Sequence, residues 1–344
     1  MRLGGVAKYV IEVEQPAEVP EAYGFAAQRG LPVFVLGYGA NTIGRDDGFD
    51  GVIVINRMRG IGEIDGGGDM GVDGVDGADG ANAADGTRRI RVMGGEYWDA
   101  VVEYSVNRGW TGIEALSKIP GLAAAAPVQN IGAYGQQVSD SLVEIEVYDA
   151  VEGAFMVLTK EELAFDYRKS ILNTTASGRY FVISVTLGLA PGQMARPFYN
   201  SIERYISEHG IRDYSPRSIR EIVSAIRAEK LPDPTVQASA GSFFHNIYLT
   251  EAEAEAAEDK GYPVHRGQDG NKLSAAWLIE QVGLKGQLLH GMRVSEKAPL
   301  VLINESAKSY EDLAKARAEI MGKVYDKFGY WLEQEPVEIT NESA

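Results

Sequence analysis

Cysteine is absent from the 344 residues, which excludes disulfides, thiolate nucleophiles and Cys-ligated zinc or iron–sulfur centres. Cations are scarce: 33 Lys and Arg stand against 49 Asp and Glu, for a net charge of −16. So acidic a surface repels phosphate backbones unless its basic residues are gathered locally, and nucleic acid is therefore not expected as a partner. No apolar run approaches the roughly 20 residues of a membrane span, and the N-terminus lacks the apolar core of a signal peptide. A soluble, cytoplasmic protein with no membrane partner is expected. The four histidines show no metal-ligand spacing, and no metal is expected. His209, His265 and His290 read as surface residues, whereas His245 is a candidate for touching a ligand.

What the chain does have is a 45% hydrophobic content, enough for folded cores, and a length that suits two or three domains. It also has 40 glycines, unevenly placed. Residues 62–87 hold nine of them with seven acidic residues and no basic one, so nearly half of the excess negative charge lies in one segment. That composition buries too little apolar surface to offset its ordering entropy and predicts a disordered surface loop. Its DGVDGADG stretch resembles Asp/Gly calcium motifs only superficially, because a three-residue Asp spacing fits neither a 12-residue calcium loop nor a nonapeptide repeat.

Along the chain, helical spacing of Val19, Tyr23 and Ala26 predicts a helix over 17–29 that stops at Gly30. Strands are expected at 31–37, 51–56 and 88–95, a helix at 96–109, and strand-like segments at 141–150, 155–163 and 179–190. After about residue 193 the texture turns helical, with Ile219, Ile222, Val223 and Ile226 on one helix face. Further helices are expected at 272–282 and 309–328, with a strand at 299–303. The pattern is α+β. A doubly wound dinucleotide fold would alternate more regularly and carry GxGxxG in the required strand–turn–helix context, which is missing.

Two segments invite a ligand. LGYGAN (36–41) follows a strand, and Gly37 and Gly39 allow positive φ and close approach of backbone N–H groups to a phosphate; alone, such a turn is more often only a tight turn. IPGLAAAAPVQNIGAYG (119–135) carries no bulky side chain over its first half, so its backbone can line a ligand or simply pack closely. Asn130, Gly132 and Gly135 add turn capacity and side-chain amide bonding.

Together, in this order, these segments resemble the flavin-binding segments of the UDP-N-acetylenolpyruvoylglucosamine reductase family. The resemblance continues through FDYRKS (165–170), KLPDP (230–234), GSFFHN (241–246), AAWLIEQVGLKG (275–286), LVLIN (300–304) and WLEQE (331–335), and covers nearly the whole chain. It implies an α+β protein with an FAD-binding domain of the vanillyl-alcohol-oxidase (PCMH) type over 1–193, in two lobes of about 1–57 and 58–193, and a smaller α+β substrate-binding domain over 194–344. It implies FAD and NADPH as cofactors and reduction of UDP-N-acetylglucosamine enolpyruvate to UDP-N-acetylmuramate, a step of peptidoglycan precursor synthesis, by a monomer. Gly37, Tyr38, Gly39, Ala40, Asn41, Pro120, Gly121, Gln129, Asn130, Gly132, Ala133, Tyr134 and Gly135 then fall at flavin-contacting positions. Arg168 matches the substrate-polarising arginine, Ser242 the proton donor and Glu335 the catalytic carboxylate. Lys230 and Asn246 match residues that hold the nucleotide or its pyrophosphate, and Tyr199 aligns with a tyrosine that closes over the substrate in one subgroup.

The residues suit that chemistry. Hydride addition to a vinyl ether conjugated with a carboxylate builds charge on the carboxylate, and a fixed cation stabilises that charge most in the transition state. Arg168 keeps its charge at any relevant pH. Glu335 helps only if protonated, or if it orients a water or Arg168. Ser242 is a weak acid facing a strongly basic carbon. Without the resemblance, Arg168 reads as a surface arginine, Ser242 as a strand-edge turn, and either Glu333 or Glu335 as solvent-facing. The chain departs from the family at its start, where members usually carry several residues before RLGGVAKY. It also departs at AAAAP, where Gly and Ser are common and four Cβ atoms narrow backbone access although N–H groups remain; at Ala40, for a serine; and at Ala298, for a His or Gln. A flavin oxidase with another substrate, or a catalytically silent flavin- and UDP-sugar-binding relative, are the competing readings.

Overall fold

Branched apolar residues gathered into short runs set the strands, and their pairing divides the chain into two compact units: residues 9–38 with 51–227, and residues 1–8, 39–50 and 228–344. The computed structural model describes residues 1–64, 86–233, 236–267 and 270–341. Most of the expected acidic loop, residues 65–85, lies outside the described residues, as does Pro234 of KLPDP. One edge of that expectation is corrected. Gly62 and Glu63 belong to the strand Ile61–Glu63, which pairs antiparallel with Arg88–Met93 through Gly62↔Arg91 and Glu63↔Ile90. The acidic segment therefore connects hairpin partners, where added length costs little closure entropy.

In the larger unit, Phe49–Asn56 is the middle of a three-stranded sheet, flanked by Ala7–Val13 and, in parallel, by Val33–Leu36. Helix Glu18–Ala27 buries Val19, Ala22 and Ala26 against Val52 and Val54, as the helical spacing predicts. A second, antiparallel sheet runs in the order Ala154–Thr159, Leu142–Asp149, Tyr180–Pro191, Arg88–Met93, Ile61–Glu63. Its central strand Tyr180–Pro191 is buried almost without interruption, because both faces are covered. Helix Trp98–Asn107 packs into the same core through Trp98, Val101, Val102 and Val106.

Packing carries the larger unit past residue 193. Helices Asn200–His209 and Pro216–Lys230 interlock Ile202, Ile206, Ile219, Ile222, Val223 and Ile226 with Phe198 and Ala115. Burying each branched side chain is worth about 1.5–3 kcal/mol, which ties residues through 227 to the larger unit.

The smaller unit has an antiparallel sheet in the order Ala238–Ser242, Val301–Asn304, Met292–Val294, Leu288–Leu289. A three-stranded sheet orders Ile247–Leu249, Gly270–Leu273 and Val264–Gly267, and Thr42–Gly44 pairs in parallel with Val337–Ile339. Ile43 is fully buried with Phe243, Phe244, Leu278 and Ile320, which is why residues 39–50 belong here. Helix Tyr310–Phe328 starts on a Ser309–Asp312 capping box and ends at Gly329, whose φ of 76° closes the C-terminus. Helix Glu251–Asp259 was not foreseen. Only Ala254 and Ala257 are buried on it, too faint an apolar stripe to read, although its Thr250–Glu253 capping box is plain in the sequence.

Candidate active site

Strand Val33–Leu36 delivers Gly37 and Tyr38 at its C-terminal end. A Cβ built on Gly37 would stand 3.7 Å from Ala125 Cβ, so in the larger unit the start of the first glycine segment lies against the second. Within the second, Pro120 is exposed, Gly121 and Gln129 are half-buried, and Gly121 has φ 151° with nothing within 4 Å of the place a side chain would fill. Gly39 in the smaller unit, with φ 71°, is equally open. Such side-chain-free, open backbone suits close approach of a phosphate-bearing cofactor. The alanines contribute differently from expectation. The amides of Ala123, Ala124, Ala125 and Ala126 donate to the carbonyls of Glu96, Gly94, Leu122 and Ala123 at 2.8–3.1 Å, so these N–H groups serve the fold.

Gly132–Ala133 and Gln136–Gln137 form a two-residue hairpin whose corner is Tyr134 and Gly135. Both corner residues have positive φ, 51° and 86°, the requirement of a type I′ turn. Behind it Asn130, 3% exposed and itself at φ 43°, accepts from Ser139 N at 3.1 Å. It donates from Nδ2 to Gln137 Oε1 at 3.0 Å and Asp166 O at 3.2 Å. Both amide protons of Asn130 are thus spent inside the protein, which makes it a scaffold for the turn.

That scaffold carries Arg168. Asp166 and Lys169 exchange backbone hydrogen bonds of 3.1 Å around Tyr167 and Arg168, and Arg168 takes the left-handed conformation at φ 55°. A non-glycine residue holds such a conformation only where its surroundings fix it. Asn173 Nδ2 donates to Arg168 O at 3.0 Å, and the Arg168 guanidinium donates to Gly132 O at 2.9 Å. The cation is thereby brought to the second glycine segment.

Tyr134 makes an edge-to-face contact with Tyr199, centroids 6.0 Å apart at 87°. Tyr199 is 47% exposed at the start of helix Asn200–His209. Burial raises the Tyr134 phenol above its ordinary pKa, partly offset by the charge and hydrogen bond of Arg227, whose own pKa burial lowers. Arg227 was not foreseen, yet a signal was present: Arg220 and Arg227 lie seven residues apart beside the apolar stripe of one helix.

In the smaller unit, Ser242 ends the strand Ala238–Ser242 opposite Val301, after a register shift that accommodates Gly241 at φ 71°. GSFFHN and WLEQE then run antiparallel. Glu335 N donates to Phe243 O at 3.0 Å, His245 N donates to Glu333 O at 2.9 Å, and Phe244 bridges Gln334. The expected alternation is decided here. Glu333 is exposed, whereas the Glu335 side chain is 13% exposed with Oε2 3.8 Å from His245 Nδ1. Asn41 joins the same place, accepting from Val337 N at 3.0 Å and reaching Glu335 O with a long 3.5 Å contact from Nδ2. Ala40 is half-buried just before it. Asn246 Oδ1 accepts from Ala275 N at 3.1 Å at the start of helix Ala275–Gln281, which fixes its orientation. Lys230 is half-buried at the end of its helix. His209, His265 and His290 are exposed. Among the described residues, no group of three or more His, Asp and Glu is placed to hold a metal, and no helix is long and apolar enough to cross a membrane.

Of the expected residues, then, Gly37, Tyr38, Gly121, Asn130, Gly132, Tyr134, Arg168 and Tyr199 lie in the larger unit, and Asn41, Ser242, Asn246 and Glu335 in the smaller. Comparison with known proteins adds the rest. Residues 7–158 match the model of an FAD binding domain, and residues 233–339 match the C-terminal domain of UDP-N-acetylenolpyruvoylglucosamine reductase. The reductase of that name from Ralstonia nicotianae is 33% identical over 98% of this chain and 95% of its own. The one from Burkholderia orbicola is 35% identical over 96% and 91%. The crystal structure of the Thermus caldophilus enzyme, 22% identical, shares the fold with a TM-score of 0.62 over 96% of this chain and 92% of that one. The α+β architecture, with an FAD-binding first part and this C-terminal domain, is thus the fold of the chain. The chain belongs to the UDP-N-acetylenolpyruvoylglucosamine reductase family.

Proposed function

We propose that the protein is an FAD-containing, NADPH-dependent reductase that converts UDP-N-acetylglucosamine enolpyruvate to UDP-N-acetylmuramate. The observation that carries the reading is Arg168, a permanent cation held by a strained turn and bonded to Gly132 O in the second glycine segment. The open backbone at Gly39 and Gly121 suits FAD, with Gly37, Tyr38, Ala40 and Asn41 of the first segment holding it. From the second segment Pro120, Gln129, Gly132, Ala133, Tyr134 and Gly135 complete the set, and Asn130 shapes their turn. When bound, FAD supplies the hydride chemistry, taking its electrons from NADPH.

The chain's own residues do the rest. Arg168 faces the carboxylate of the enolpyruvyl group and stabilises the charge that grows there, more in the transition state than in the ground state. The Ser242 hydroxyl gives a proton to the carbon next to that carboxylate, and the hydride adds to the terminal carbon, leaving the lactyl ether. Glu335, largely shielded from water and close to His245, orients the proton donor. Lys230 and Asn246 hold the diphosphate, and Tyr199 closes over the substrate. In this reading residues 1–193 chiefly serve the flavin and 194–344 the nucleotide substrate. The enzyme works as a cytoplasmic monomer on a soluble UDP-sugar.

The test has two steps. Under anaerobic conditions NADPH bleaches the flavin of the holoenzyme, and addition of the enolpyruvyl nucleotide restores its colour. A reduced protein that the nucleotide does not reoxidise would falsify the reading.

A further inference from the structure

Tyr38, between the two glycines of the first segment, is 54% exposed, and Tyr97, just before helix Trp98–Asn107, is 46% exposed. Their rings meet edge to face, with centroids 5.8 Å apart at 85°. The Arg59 guanidinium lies 4.3 Å from the centre of the Tyr97 ring. Burial does not account for this group, since the same unit hides rings such as Trp98 and Phe181 completely.

What the group does is connect. The Glu96 carboxylate takes Arg59 at 3.4 Å and the amides of Gly60 and Tyr97 at 3.2 and 3.1 Å. Glu96 O accepts from Ala123 N at 2.8 Å, Tyr97 bridges Leu122, and Trp98 N donates to Gly121 O at 3.0 Å. Tyr97 is therefore tied through its backbone to the second glycine segment and through its ring to the first. Gly37, next to Tyr38, is the residue whose Cβ position touches Ala125.

We infer that Arg59, Tyr97 and Tyr38 form a clasp that sets the spacing of the two glycine segments and so tunes flavin affinity, with Arg59 and Tyr97 as positioning residues. The inference rests on the reading that these segments hold FAD. Edge-to-face and cation–π contacts at the surface are each weak, so the clasp biases the turn and does not create it. Loosening it leaves the protein folded but makes FAD binding carry the ordering of the turn.

Apoprotein titrated with FAD, followed by flavin fluorescence, reads this directly. Tyr97→Leu and Tyr38→Leu each raise the Kd about three- to tenfold, while Tyr97→Phe, which keeps the ring, stays within about twofold of the parent. The double variant Tyr38→Leu/Tyr97→Leu is no worse than Tyr38→Leu alone, because Tyr97 acts through the ring of Tyr38. Melting temperatures of the apoproteins agree within about 2 °C. Equal Kd values in all variants, multiplying effects in the double variant, or a fall in melting temperature that phenylalanine does not rescue would each overturn the clasp. A parent apoprotein that takes up no FAD would remove the functional reading as well, so the two failures are distinguishable.

Discussion

Arg168 and Glu335 are held in opposite ways. In the larger unit Arg168 sits at φ 55° in a two-residue turn, fixed by an Asn173 side chain, its own bond to Gly132 O and an Asn130 amide that grips Asp166 O. In the smaller unit Glu335 and Ser242 lie on extended chain paired by backbone hydrogen bonds to Phe243 and across to the Val301 strand. A ladder of backbone bonds survives the loss of almost any single side chain. The Asp166–Lys169 backbone pair closes the Arg168 turn, but side chains fix what that pair leaves loose, the Arg168 carbonyl and guanidinium, and such a turn is used where a cation must project from a position that a regular strand cannot offer.

The largest expected effect lies in the ladder-held unit, through chemistry alone. Ser242→Ala lowers product formation about 10²- to 10⁴-fold while NADPH still bleaches the flavin at nearly the parent rate. Equal loss of both half-reactions, measured by stopped flow, would make Ser242 structural and erase its contrast with Arg168. Next comes Arg168→Met, which lowers kcat/KM for the enolpyruvyl nucleotide about 10²- to 10³-fold, with Arg168→Lys restoring little because a point charge lacks the planar fork. Full recovery with lysine would show that charge alone matters, and that the fixed turn does not.

The side-chain scaffold is tested one residue further out. Asn173→Ala removes the donor to Arg168 O and the acceptor for Ser170 N. About 1–3 kcal/mol of support for the turn goes with it, and kcat/KM falls roughly tenfold. An unchanged kcat/KM would mean that the turn holds itself.

The smallest effect is on stability. Asp99 joins helix Trp98–Asn107 to helix Pro216–Lys230 through Arg220 at 2.7 and 3.0 Å, and it also takes Lys118. Burial raises its pKa, but the bonds to Arg220 and Lys118 outweigh that and hold the carboxyl well below its ordinary 3.8. The folded state keeps this charge where the unfolded chain is already protonated. Its stabilisation is therefore complete above about pH 5 and fades as pH falls through the unfolded value toward the lower folded one. Asp99→Asn costs about 1–2 kcal/mol at pH 7 and flattens the acid limb of the urea-unfolding profile. An acid limb identical to the parent's would show that the charged tie does not support the larger unit.

Much of this was legible in the sequence. The faces of helices Glu18–Ala27 and Pro216–Lys230 followed from apolar spacing, because periodicity encodes which side is buried. Two partners of the site were not legible. AAAAP left its N–H groups open to a ligand on paper, but four of them bond to carbonyls, some nearly thirty residues away in the chain. Asn130 looked like a ligand-bonding amide and instead bonds across the fold to Gln137, Asp166 and Ser139. Nor is it legible that residues 39–50 pack with the smaller unit, because they join it through Ile43, whose partners lie some two hundred residues or more further along the chain.

The sequence by itself determined the absence of thiol chemistry, the places of the longer helices such as Glu18–Ala27, Pro216–Lys230 and Tyr310–Phe328, and the eight ordered motifs that carry the family likeness. Only the tertiary structure decided that Glu335 is shielded while Glu333 faces water, that Asn130 is scaffold, and that Arg168 reaches Gly132. The reason is one of range. Propensity and periodicity act over a few neighbouring residues, whereas a buried polar group must find whichever partner the folded chain brings within about 3 Å, however distant in sequence.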